Sequence, residues 1–181
     1  MAHSVRWPER AESGQRVDEI LKSTPVEPPL EIYPGRIDEK GRLKLPADIQ
    51  RYLSDFFQAD GGPAKVFITS LDVRTIRVYP TSVWKQNELL LADETENPDE
   101  AEDLVFLAKD LGGTSEIDSQ GRILVPAELR RELNVENQPV WMNCYNSRID
   151  VFGKDVYEER RNRSRENLKE RVRHFARKGL K

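Results

Sequence analysis

Two stretches of this chain are near copies of each other. Residues 37–53 read IDEKGRLKLPADIQRYL and residues 117–133 read IDSQGRILVPAELRREL, at an offset of 80 with no gap. Ile37/Ile117, Asp38/Asp118, Gly41/Gly121, Arg42/Arg122, Pro46/Pro126, Ala47/Ala127, Arg51/Arg131 and Leu53/Leu133 are identical. Leu43/Ile123, Leu45/Val125, Asp48/Glu128 and Ile49/Leu129 are conservative matches. A duplication of this kind sets the plan of the chain before any other feature is read. The likeness continues more weakly, with VFITSLDVRTIRVYP (66–80) resembling PVWMNCYNSRIDVFG (139–153) at an offset of 73. The difference in offset falls after Leu53, where Phe57 to Gly62 reads as residues inserted in a loop.

Each copy predicts the same local structure. Asp-x-x-Gly is a turn, with Asp at its first position and Gly where φ turns positive. Arg42-Leu43-Lys44-Leu45 alternates polar and apolar, as a half-buried strand does, with Leu43 and Leu45 inward and Arg42 and Lys44 outward. Pro46 and Pro126 each open a short helix, 47–53 and 127–133, and Asn134 is a candidate end for the second. Two strands follow in each copy: 66–70 and 75–79, then 140–144 and 148–152, the last pair turning at Asn146-Ser147. Between the copies, Thr81 or Ser82 is a candidate cap for a helix through Leu91, and Asn97-Pro98-Asp99-Glu100 predicts a second helix ending at Gly112-Gly113. A final helix is expected from about Asp155.

Charge follows this plan. The net of −3 over 181 residues argues mildly against nucleic acid, but it is a sum of unlike parts. Residues 1–30 hold four basic and five acidic residues and four prolines, and read as a flexible arm. Residues 31–84 (repeat one) carry eight basic and seven acidic, and residues 112–154 (repeat two) five and six. Residues 85–111, the helical connector, carry two basic and nine acidic, whereas the tail 155–181 carries ten basic and five acidic. Outside the connector the chain holds 27 basic and 23 acidic residues. The tail suits a solvated amphipathic helix or a phosphate- or partner-docking segment.

Most chemistries have little to draw on. Cys144 is the only cysteine, and His3 and His174 sit near opposite ends, so no disulfide, multi-cysteine zinc site or Cys–His and Ser–His–Asp grouping is expected. There is no Walker loop and no G-x-G-x-x-G. The acids between Asp93 and Glu100 lack the spacing of a Ca²⁺ loop. No catalytic residue, cofactor, metal or small-molecule substrate is expected, and no secretory leader or membrane span, so a cytoplasmic protein fits. Trp84, Trp141, Phe152 and Cys144 read as core.

The repeated Arg42 and Arg122 are different. The turn needs Asp38, Gly41, Asp118 and Gly121, which shape it, but it does not need an arginine directly after each glycine. A solvated strand residue would explain one copy. Two hairpins related by a pseudo-two-fold would present both arginines on one face, where a guanidinium can fork onto guanine or phosphate. Lys40 and Lys44 would add phosphate contacts in repeat one. Asp38 and Asp118 read as turn-shaping acceptors, because a carboxylate aimed at phosphate would repel it.

The motif I-D-x-x-G-R-[LI]-x-[LV]-P-A, twice in one chain with a helical connector, resembles the MraZ family, a two-repeat relative of the SpoVT-AbrB domains. The resemblance spans about residues 31–160 and implies an α+β fold. In it two tandem swapped-hairpin repeats form an intramolecular pseudo-dimer, with connector and C-terminal helices. It further implies a ring of identical subunits with the hairpins open to double-stranded DNA. It implies a nucleoid-associated transcriptional regulator acting on short direct repeats upstream of the division and cell-wall gene cluster. The family's DNA-contacting arginines match Arg42 and Arg122, and its motif acids match Asp38 and Asp118. Lys40 matches its basic residue before Gly-Arg. The sequence departs from the pattern in the roughly 30 residues before the first motif, in the acidic connector, and in Gln120, which predicts weaker DNA contact for repeat two. The competing reading is a ring-shaped scaffold for a protein such as the neighbouring rRNA methyltransferase. A footprint on upstream DNA separates the two.

Overall fold

A computed structural model describes residues 27–61 and 64–181. Most of the arm expected over 1–30 therefore lies outside the described residues. In chain order the elements are β1 (Ile32–Arg36), β2 (Arg42–Lys44), α1 (Ala47–Asp60), β3 (Lys65–Thr69), β4 (Thr75–Pro80), α2 (Thr81–Ala92) and α3 (Pro98–Leu111). Then come β5 (Gly113–Glu116), β6 (Arg122–Leu124), α4 (Ala127–Glu132), β7 (Pro139–Tyr145), β8 (Arg148–Gly153), α5 (Lys154–Arg165) and α6 (Leu168–Ala176). The fold is mixed α+β.

Six antiparallel strands form one sheet in the order β1-β7-β8-β4-β3-β5, and β2 and β6 form a separate two-stranded ribbon. The pairing crosses between the two copies. β1, from the first, pairs with β7 of the second, and β5, from the second, pairs with β3 of the first. β4 pairs with β8 at the centre, and Leu43 of β2 lies opposite Ile123 of β6.

Alternation explains the layers. Leu43, Leu45, Ile123 and Val125 point under the ribbon and are almost fully buried. They meet Ile49, Leu53 and Leu129 from α1 and α4, and Val66, Ile68, Ile76, Val78, Val140, Met142, Ile149 and Val151 from one face of the sheet. Each such side chain withdrawn from water contributes roughly 1.5–3 kcal/mol before entropy is counted. Cys144 joins this core, and burial pushes its thiol up to about 11. The other sheet face carries a smaller cluster of Phe67, Tyr79, Trp84 and Ala108 beneath α2 and α3. There too Trp141 stacks on Tyr157 of α5, rings 4.4 Å apart, and Arg160 lies over Phe152.

The helix ends differ from the local expectations in four places. The residues that read as a loop insertion continue α1 to Asp60, because Phe57 extends the apolar face and is buried; Gly61, in the left-handed region, closes the helix. α4 ends at Glu132, and Asn134, the candidate for its end, follows in the left-handed region, with Val135 N–H bonded back to the Arg130 carbonyl. Neither Thr81 nor Ser82 caps α2. Thr81 Oγ1 donates instead to the Lys65 carbonyl, and Ser82 Oγ is buried without a partner among the described residues. Before α3 it is Glu94, not the Asn97 side chain, that accepts from the Glu96 and Asn97 N–H groups. The single helix expected from Asp155 is two, broken at a left-handed Asn167. Asn146 and Ser147 both have positive φ, as a two-residue hairpin of this hand requires.

Candidate nucleic-acid interface

Both Asp-x-x-Gly turns have the same construction. The Asp38 carbonyl accepts from Gly41 N–H at 2.9 Å, and Asp38 Oδ1 accepts from Lys40 N–H at 2.9 Å and Arg42 N–H at 2.8 Å. Asp118 repeats each contact, with Gly121, Gln120 and Arg122, within 0.1 Å. Gly41 and Gly121 have φ of 77° and 71°, where a side chain is strained. The second carboxylate oxygen holds the arginine. Arg42 Nε and Nη2 both lie 2.8 Å from Asp38 Oδ2, and Arg122 Nε lies 2.8 Å from Asp118 Oδ2. The Arg42 backbone N–H and then its guanidinium hold the Asp38 carboxyl below its ordinary range; the Arg122 backbone N–H, against some desolvation, does the same for Asp118.

The guanidiniums face outward but are not free. They are clamped to the aspartate of their own turn and are about a third exposed or less. A guanidinium has five N–H donors, so the clamp fixes its direction and leaves donors for a phosphate or a base edge.

The ribbon joins the turns into one patch. Leu45 N–H donates to the Gly121 carbonyl and Val125 N–H to the Gly41 carbonyl, both at 2.9 Å. Arg42, Lys44, Arg122 and Leu124 share the outward face, with Arg42 opposite Leu124 and Lys44 opposite Arg122. Arg42 and Arg122 are diagonal neighbours, whose backbones lie roughly 7–8 Å apart in such a ladder. They belong to one surface.

The pairing carries Lys44 across to the other copy. Its Nζ donates to the carbonyl of Gln120, in the second turn. A lysine of the first copy therefore lies at the turn whose own sequence has Gln120 in place of a basic residue. Lys40 remains beside Arg42 in the first turn, together with the acidic Glu39, whose counterpart in the second turn is Ser119.

Two positioning residues escaped the sequence reading. Arg130 of α4 lies over Gly41, where a Cβ would collide with its guanidinium, and donates to the Val125 carbonyl. Gln50 of α1 lies over Gly121 in the same way and donates to the Leu45 carbonyl at 2.7 Å. The two are equivalent positions of the repeat but differ in type, so a search for identities passes over them. The signal was a long polar side chain in the first turn of both helices.

Among the described residues no group of three His, Cys, Asp or Glu is placed to hold a metal, and no helix is long and apolar enough to cross a membrane. The fold and this patch together define a duplicated α+β protein with an outward, arginine-bearing ribbon shared by its two halves.

The sequence pattern of the family described as "MraZ protein, putative antitoxin-like" matches residues 112–176. The chain is 33% identical over 127 residues to the transcriptional regulator MraZ of Acidobacterium capsulatum, covering 70% of this chain and 77% of that one. It is 32% identical over 145 residues to that of Thermoanaerobacter pseudethanolicus, covering 79% and 93%. The corresponding protein of Koribacter versatilis is 33% identical over 106 residues, 59% of this chain and 69% of that one. This chain belongs to the MraZ family.

Proposed function

We propose that the protein is a sequence-specific, double-stranded-DNA-binding transcriptional regulator that assembles into a ring of identical subunits and engages short direct repeats. Residues 31–84 and 112–154 are then two swapped-hairpin repeats of the SpoVT-AbrB type paired within one chain, joined by the connector 85–111 and followed by the tail 155–181. The observation that carries this reading is the reciprocal ribbon, which sets Arg42, Lys44 and Arg122 on one outward face. The relatives named as transcriptional regulators support it.

Arg42 and Arg122 supply base or phosphate contacts, Lys40 and Lys44 supply phosphate contacts, and Asp38, Gly41, Asp118 and Gly121 hold the arginines in place. One arginine on a guanine discriminates by roughly 1–3 kcal/mol. Two such contacts fall short of the roughly 10⁻⁸ M affinity of a specific regulator. A ring closes the gap, because once one subunit is bound the next contact is intramolecular. The weakly acidic whole keeps binding to random DNA low.

The test is a gel-shift on the DNA upstream of the protein's own gene, beside light scattering of the free protein. Arg42→Ala and Arg122→Ala should each weaken binding by about 5- to 150-fold, the equivalent of about 1–3 kcal/mol, with the assembly mass unchanged. Unchanged binding in both variants refutes the DNA role. Loss of the assembly in either assigns that arginine to structure. A probe cut to one repeat should bind far more weakly than the full site.

A further inference from the structure

The connector and the tail carry opposite charge, and each presents an unpartnered apolar surface. α2 and α3 lie side by side and leave an open groove of about 670 Å³ between them, floored by Leu89, Leu91, Ala101 and Val105. Leu89 is 67% exposed. Glu88, Glu94 and Glu102 rim the groove with Lys85 and Lys109, and Glu88 is paired with Lys109 across it at 3.1 Å, which leaves Glu94 and Glu102 against Lys85. At the other end of the chain, every residue from 158 to 181 is exposed. Within that stretch α6 carries Leu168, Val172 and Phe175 three and four residues apart, on one face, each about half exposed. Lys169 and Arg173 lie beside this stripe, and Lys178, past the helix end, lies over the Phe175 ring.

α6 is also held in a set direction. Arg171 reaches back to the carbonyls of Ser164 and Arg163 at 3.2 Å, across the break at Asn167. A stripe of three apolar side chains on a basic helix that buries none of its residues is a helix-in-groove ligand lacking its groove. At 1.5 Å per residue, α6 is about 13 Å long and α3 about 21 Å, so the groove has the length to seat it.

We propose that α6 of one subunit docks into the α2/α3 groove of a second copy of this chain. Leu168, Val172 and Phe175 then cover Leu89, Leu91 and Val105, and the basic flanks of α6 face Glu94 and Glu102. The contact is heterologous, with tail on one side and connector on the other, so repeated addition closes a ring or grows a filament. The proposal deepens the self-association reading above and does not depend on DNA contact. It also gives the acidic connector and the basic tail, which the DNA-facing ribbon leaves unused, one shared role.

The test uses the full chain in light scattering after size exclusion. Val172→Asp/Phe175→Asp alters only the tail, and Leu89→Asp/Glu102→Lys only the groove. Wild type should be a multi-copy assembly and each variant a monomer with unchanged thermal unfolding. An equimolar mixture of the two variants should stop at a dimer, because such a pair retains one intact tail and one intact groove. As a milder pair, Glu102→Lys and Arg173→Glu should each lower the mass, and the double variant should recover part of it. Wild-type mass in both surface variants overturns the proposal, whether another surface holds the assembly or α6 docks in its own chain. Weakened DNA binding in the tail variant at wild-type mass also overturns it and assigns α6 to DNA. A monomeric wild type refutes this proposal and the ring together, and leaves the DNA role of Arg42 and Arg122 standing.

Discussion

The two turns, 38–42 and 118–122, are nearly superimposable in their hydrogen bonds and unlike in their charges. Turn one has Glu39 and Lys40; turn two has Ser119 and Gln120. Read separately, each turn sums to zero charge, with two cations and two acids in turn one and one of each in turn two. In the folded chain turn two gains Lys44 from the facing strand, while turn one receives Leu124 at the equivalent place. Turn one is in turn covered by Arg130, and turn two by the neutral Gln50. The comparison teaches that the structural unit of the patch is not the repeat. Each turn is completed by side chains from the other copy, so the charge of a turn cannot be summed from its own residues.

The largest effects test whether the halves are mechanically equivalent. Leu43 and Ile123 face each other in the ribbon and are almost fully buried. Truncating either to alanine should cost about 2–5 kcal/mol by urea unfolding. The double variant should deviate from additivity, because the pair is in direct contact. Unequal single effects would show that one half carries more of the core. Next, Gly41→Ala and Gly121→Ala force a side chain into the left-handed region, at roughly 1–2 kcal/mol each. Gly41→Ala should cost more, because it must displace an Arg130 guanidinium bonded to Val125 and paired with Glu136, whereas Gly121→Ala displaces only an amide.

A smaller effect separates the turns in DNA binding. Lys40→Ala and Lys44→Ala should each lower the salt slope of binding by about one. In double variants Lys44 should couple to Arg122 and not to Arg42, and coupling to Arg42 instead would restore the reading of the repeats as separate units. The smallest effect lies at acid pH. Asp38 and Asp118 are depressed below the ordinary 3.8 in the folded state. Their contribution is present above 3.8 and is lost as pH falls from there through the lower folded values. Asp38→Asn and Asp118→Asn should therefore lower stability near neutrality and flatten its fall below pH 4, to a similar degree, measured by unfolding across pH 2–6.

Much of the site was readable because it is local. An aspartate that accepts its own turn's N–H groups, a glycine at positive φ and an alternating Arg-Leu-Lys-Leu strand are properties of five to eight consecutive residues. Phe57 was misread because a helix end depends on whether the next apolar residue finds a core, and here it does. The tail was misread for the opposite reason. Its composition favours helix throughout, and the left-handed Asn167 breaks it where no apolar run ends. Arg130 and Gln50 were passed over because their role lies in a turn of the other copy.

The sequence by itself determined the duplication, the turn-strand-helix order within each copy, the arginine after each glycine, and the separation of acid into 85–111 and base into 155–181. All of these rest on short-range sterics or on counting. Only the tertiary structure decided which strand lies beside which. That pairing set β1 against β7 and β5 against β3, brought Lys44 to Gln120, and merged two arginines 80 residues apart into one patch. The physical reason is that a half-buried strand states which side is apolar but not its neighbour. The neighbour is chosen by the joint burial of Leu43, Leu45, Ile123 and Val125, to which both copies contribute.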